Sequence, residues 1–148
     1  MLDKSTHLDL LLQTMLSQLP IARLAQETGT EMTQFAPEAH LGSLAIEASR
    51  LVAETKRSNG DDASIEDAAA QLCLRADNLI APARTAAQMS TDFHNALAAT
   101  SHSRCAAAHE QKSCQLQVSL FVMEAFAFYL KAIAATCVLA NGKSPAVA

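Results

Sequence analysis

The sequence predicts an all-α protein: an antiparallel bundle of four to five helices with an apolar C-terminal helix at its centre. Apolar residues recur at three- and four-residue steps in successive segments, and no segment shows sustained two-residue alternation bounded by turns. Ala is abundant, whereas Gly and Pro number four each, which is a helical composition. At 148 residues the chain has the length of one domain and can bury roughly two-thirds of its unfolded surface. Residues 1–148 are therefore expected to form a single helical domain, with 143–148 as a short tail.

The first helix is expected to be capped by Ser5 or Thr6. Leu8, Leu11, Leu12, Met15, Leu16 and Leu19 form its apolar stripe, and Asp9 sits early, where the helix dipole favours it. Pro20 lacks an N–H and clashes with the carbonyl four residues back, so the helix should kink or restart there, continue from Ile21 to Gln26, and end at Gly29.

A second helix should begin at Phe35-Ala36-Pro37-Glu38, proline suiting a first turn whose N–H groups are unused. Leu41, Leu44, Ala45, Ala48, Leu51 and Val52 give it a core stripe. Gly42 inside it costs about 1 kcal/mol relative to Ala unless another chain segment packs close. Asn59-Gly60 marks a turn.

Ser64-Ile65-Glu66-Asp67 resembles a capping box for a third helix carrying Ile65, Ala68, Ala69, Leu72, Cys73, Ala76 and Leu79. Ile80-Ala81-Pro82 repeats the pattern of Phe35-Ala36-Pro37 and could open a helix in a second, related half. From Pro82 to His109 small residues dominate, suiting close helix–helix approach. No Gly or Pro interrupts 83–140, so this region is one long helix, or two joined by a bend near Ser101 to Ser103. Asn141-Gly142 supplies a left-handed stop.

Residues 118–140 carry only two charges, Glu124 and Lys131, and as a helix are apolar nearly all round, so the helix should be buried. Its length matches the roughly 20 residues that cross a bilayer, but each charge would cost about 2.5 to 3.5 kcal/mol there. Basic flanks are limited to Lys112 and Lys143, so a bundle or assembly core is favoured over a membrane anchor. The two charges lie seven residues apart on one face, about 10.5 Å along the axis, too far for a direct pair. They mark either a solvent edge or pairing with a neighbouring subunit.

Composition limits the partners. A net charge of −4 and the absence of any Lys/Arg run argue against nucleic acid. Cys73, Cys105, Cys114 and Cys137 form no CxxC, which fits reduced thiols in a cytoplasmic protein, and the N-terminal stretch lacks the basic region of a signal peptide.

No catalytic motif of high specificity occurs, and no cofactor is implied. Cys105, beside Arg104 and within two turns of His102 and His109, is the one nucleophile candidate. Acidic neighbours such as Asp61-Asp62 and Glu66-Asp67 fit helix caps. His102, Cys105 and His109 share one helix face at offsets of three and seven, and could offer imidazole and thiolate to a metal. Neither HExxH nor ExxH is present to support that reading.

The segment Ala36-Pro37-Glu38-Ala39-His40-Leu41-Gly42-Ser43-Leu44, followed by Ala- and Gln-containing helix around Ala106 to Gln117, resembles the small R-body proteins of bacteria, the killing-trait or Reb family. The chain differs in its greater length, its four cysteines, and a lead of which only Met32-Thr33-Gln34 matches. The resemblance implies a structural subunit that polymerises and has no active site.

The expected function is thus non-enzymatic: a helical structural or interaction protein whose partner is itself or another helical protein. Leu120, Phe121, Glu124, Phe126, Phe128 and Lys131 are the candidate interface. A helical-bundle ligand- or metal-binding protein using His102, Cys105 and His109 is the first alternative, and a membrane-associated protein anchored by its C-terminal helix the second.

Overall fold

The computed structural model describes residues 4–33, 41–58, 62–99 and 103–142, with the side chains of Lys4, 28–33, 98 and 103–108 outside that description. The chain is all-helical. Among the described residues there are four helices and no strand: α1 (Lys4–Thr33), α2 (Leu41–Arg57), α3 (Ala63–Ala99) and α4 (Ser103–Asn141). α4 packs against all three other helices, most extensively against α3 and α1, and α2 lies against α1, α3 and α4.

The core follows the apolar periodicity of each segment. α2 buries Leu41, Leu44, Ala45, Ala48, Leu51 and Val52, the whole expected stripe, and adds Thr55. On α3, larger and smaller buried residues alternate at three- and four-residue steps: Ile65, Ala69, Leu72, Ala76 and Leu79. Such alternation lets side chains of a facing helix interdigitate. α1 contributes Leu8, Met15, Ala22 and Ala25, with Leu11, Leu12 and Leu19 partly buried, while Leu16 of the expected stripe is exposed.

Several local expectations are corrected. α1 runs unbroken through Pro20 and Gly29 to Thr33. The carbonyl that Pro20 leaves without a donor belongs to Leu16, an exposed residue where water can serve. Pro82 likewise lies inside α3 and opens no helix, so the boundary of the supposed repeat is not there. The carbonyl it orphans is that of Asn78, also exposed. The expected helix start at Phe35 to Glu38 and the Asn59-Gly60 turn lie outside the described residues. α3 ends at Ala99 and α4 starts at Ser103; the expected bend near Ser101 to Ser103 falls on residues 100–102, outside the described residues.

The cap of α3 is Asp62 rather than Ser64. Asp62 Oδ1 accepts from the Ser64 backbone N–H at 3.0 Å and from the Ser64 hydroxyl at 2.7 Å, and the Asp62 carbonyl receives the Ile65 N–H at 3.1 Å. At the far end of the chain, α4 stops at Asn141, but Gly142 does not enter the left-handed region; its N–H donates to the Val138 carbonyl at 2.8 Å. The buried Asn141 side chain instead bridges two helix ends. Its Nδ2 donates to the Asp62 carbonyl at 2.9 Å, and its Oδ1 accepts the Asp62 N–H at 2.8 Å.

Candidate functional site

α4 carries two apolar faces, and this division is what composition alone could not supply. The inner face, Leu116, Ser119, Met123, Phe126, Leu130, Ile133 and Cys137, repeats at alternating steps of three and four and is buried throughout. That is the heptad spacing of a helix seated between neighbours. A second face, Val118, Phe121, Ala125, Phe128, Ala132, Ala135 and Leu139, has the same spacing and is exposed except at the half-buried Ala125 and Ala132. Phe121 is 72% exposed, Phe128 64% and Val118 63%. Residues three and four apart are surface neighbours on a helix, so these side chains form one continuous apolar stripe. The exposed Cys114 extends it by a turn.

The helix is therefore not buried on all sides, as its composition led one to expect. Between Ser113 and Gly142 it has two charges, and both are held within the chain by α3. Arg84 Nε donates to Glu124 Oε1 at 3.1 Å, and Lys131 pairs with Asp77. All four side chains of these two pairs are more than a third exposed. Pairs of this kind contribute about 0.2 to 1 kcal/mol and mainly fix the register of α3 on α4.

The six candidate interface residues separate accordingly. Phe126 is fully buried, and Leu120 is partly buried against the core. Glu124 and Lys131 are engaged with α3, and Phe121 and Phe128 alone stand on the outer stripe.

Where α3 ends and α4 begins, histidines meet. His109 Nε2 lies 2.9 Å from the Ser90 carbonyl and 3.1 Å from its hydroxyl. A carbonyl can only accept, so Nε2 carries the proton and Nδ1 the lone pair of the neutral ring. The rings of His94 and His109 lie 6.3 Å apart and nearly parallel, at 17°, and Phe93 stands edge-on to His109 at 4.9 Å. His94 Nδ1 is buried without a hydrogen-bond partner. Of the expected metal-ligating set, only the His109 side chain is described: Cys105 stands in α4 with its side chain outside the description, and His102 lies outside the described residues. Among the described residues no three His, Cys, Asp or Glu side chains converge as a metal-binding group. His94 is not among the expected site residues, because spacing within one helix does not place it beside His109.

The remaining polar features hold helices together. Lys56 pairs with Asp9, and Arg75 with Glu47, the latter Arg also reaching Ser43 Oγ at 3.4 Å. A shallow groove between α2 and α3 is lined by Glu47, Arg50, Glu54 and Gln71 over Leu51 and Leu72, with no nucleophile facing a base. Of the Ala36 to Leu44 motif, residues 36–40 lie outside the described residues, whereas Leu41 and Leu44 enter the core at the start of α2. Comparison with protein-family models, curated proteins and solved structures returns no match for this chain.

Proposed function

We propose that this chain is a non-enzymatic, cytoplasmic structural subunit, folded as an antiparallel bundle, that self-associates through the outer face of α4. The opposed register of the cross-links supports the antiparallel arrangement. Asn141 meets Asp62, Lys131 meets Asp77, Glu124 meets Arg84, and Gln117 reaches Thr91, so α4 descends as α3 ascends. On α1 and α2, Asp9 with Lys56 and Arg23 with Gly42 run the same way.

The observation that carries the proposal is the outer stripe. Exposed apolar surface that is contiguous and free of charge marks an interaction face, and a heptad-spaced stripe is self-complementary to a second copy of itself. The most apolar 18-residue window within helix 109–141 has a mean hydropathy of 1.7, yet the inner face of that helix is occupied by α1, α2 and α3, which lipid would have to displace. An interfacial membrane helix would also carry Lys and Arg beside its apolar face. Beyond Arg104, α4 has only Lys112 and Lys131, the latter committed to Asp77. A second copy fits the surface better than a bilayer. Ribbon-forming polymers of the R-body kind belong to the same class of assembly.

Sedimentation of untagged protein with and without mild detergent tests the proposal. The expected result is a species well above monomer mass in plain buffer. A monomer at high concentration, or protein recovered only in the detergent phase, would overturn it.

A further inference from the structure

We infer that α4 meets the α4 of a second copy antiparallel, about a two-fold axis passing between Phe126 and Ala127, with bulky side chains of each copy seated on small ones of the other. This rests on the proposed self-association and adds its orientation and register. Two independent patterns on the exposed face select them, one of side-chain size and one of charge.

In the heptad spacing, Val118, Ala125, Ala132 and Leu139 occupy one seam position, and Cys114, Phe121, Phe128 and Ala135 the other. Reversing the direction of one helix brings the first position of each copy against the second position of its partner. In the inferred register Phe121 lies against the partner's Ala132, Phe128 against the partner's Ala125, Val118 against the partner's Ala135, and Leu139 against the partner's Cys114. Every layer thus sets one larger side chain on one smaller one. Phe121 and Phe128 are largely exposed while Ala125 and Ala132 are half-buried, so the stripe is already a row of projections and recesses. Complementary volumes fill a helix seam with neither void nor overlap. A parallel pair would set Phe121 on the partner's Phe121 and Ala125 on the partner's Ala125, overfilling one layer and leaving the next empty.

Glu124 and Lys131 each precede a seam position and flank the stripe on one side, both more than a third exposed. In the same register Glu124 of each copy faces Lys131 of the other, twice by symmetry. With the α3 partners included, the charges alternate in sign from Arg84 to Glu124, then to the partner's Lys131 and the partner's Asp77. Sliding the helices by one heptad sets Glu124 against the partner's Glu124 in one direction and Lys131 against the partner's Lys131 in the other, and like charges at flanking positions oppose association. In a parallel pair Glu124 would face the partner's Tyr129 and Lys131 the partner's Thr136, so neither gains an opposite charge. The two-fold contact uses the stripe of both copies and closes at two chains, so a larger assembly needs a different face.

Cys114 makes the register testable. Across the two-fold axis it lies beside the partner's Leu139 but about 37 Å along the helix axis from the partner's Cys114, and the same distance from Leu139 of its own chain. A short bifunctional maleimide applied to the full chain should form no Cys114–Cys114 link in the parent, and should convert Leu139→Cys to a covalent dimer whose peptides map to a link between positions 114 and 139. Cys114→Ser combined with Leu139→Cys should lose that link. Sedimentation of the same samples establishes that each is assembled. Separately, Glu124→Lys and Lys131→Glu should each associate about fivefold or more weakly than the parent, and an equimolar mixture of the two should regain association as a heterodimer, both cross-chain pairs then being opposite in charge. An assembled parent linked through Cys114 to Cys114, an assembled Leu139→Cys variant without the 114–139 link, or a mixture that regains nothing would overturn the register and leave self-association standing. A monomeric parent would overturn both.

Discussion

Asn141 shows how much of the tertiary arrangement rests on single polar side chains. Its amide satisfies both backbone groups of Asp62, 79 residues away in sequence, tying the end of α4 to the start of α3. Asn141→Ala removes both bonds and is expected to lower the unfolding free energy by about 1 to 2 kcal/mol in urea denaturation. The cysteines differ for an equally local reason. Burial pushes the Cys137 thiol above its ordinary value of 9.0, the Thr55 hydroxyl lowering it by less, whereas Cys114 is exposed. Thiol labelling of folded protein should therefore modify Cys114 quickly and Cys137 only on unfolding. Because the folded thiol holds its proton more tightly than the unfolded one, its contribution to stability is complete below about pH 9. That contribution should decline as pH rises through the raised value, which denaturation at successive alkaline pH values measures.

At the scale of elements, the stripes were the legible part. α2 matched residue for residue because its one apolar face is bounded by charge, and periodicity then leaves a single way to turn it inward. The prolines were not legible. The rule that proline ends a helix assumes that the orphaned carbonyl finds no substitute, but Leu16 and Asn78 are exposed, and packing on both sides of Pro20 and Pro82 carries the helices through. Pro20→Ala and Pro82→Ala should consequently each raise the denaturation midpoint, by the equivalent of about 1 to 3 kcal/mol. A fall in midpoint for either would mean that the ring itself is part of the packing.

Gly42 makes a related case. A Cβ there would come within 2.8 Å of the Arg23 guanidinium, the mobile end of a long side chain rather than backbone. Gly42→Ala is expected to be neutral or stabilising by up to about 1 kcal/mol in the same assay.

At the scale of the whole molecule, the fold class was legible and the sidedness of α4 was not. A helix apolar on two faces has no periodic signal to say which face is core, and only the placement of α1, α2 and α3 decides it. The same placement supplied Asp77 and Arg84 as partners for Lys131 and Glu124, and put His94 beside His109; none of these follows from spacing within one helix. Phe126 and Phe128 show the consequence. Two residues apart in sequence, one is fully buried and the other 64% exposed. A charge at Phe126 would unfold the chain by being buried unpaired, whereas a charge at Phe128 or Phe121 should leave the fold intact and, under the proposed self-association, act only on assembly.

The central claim is that the outer stripe of α4 joins copies of this chain. Sedimentation equilibrium of the parent protein and of the Phe121→Glu/Phe128→Glu double variant, with helicity verified by circular dichroism, tests it most directly. The account requires an assembled parent and a folded, monomeric variant. An assembled variant, or a parent that stays monomeric at the highest soluble concentration, would contradict it.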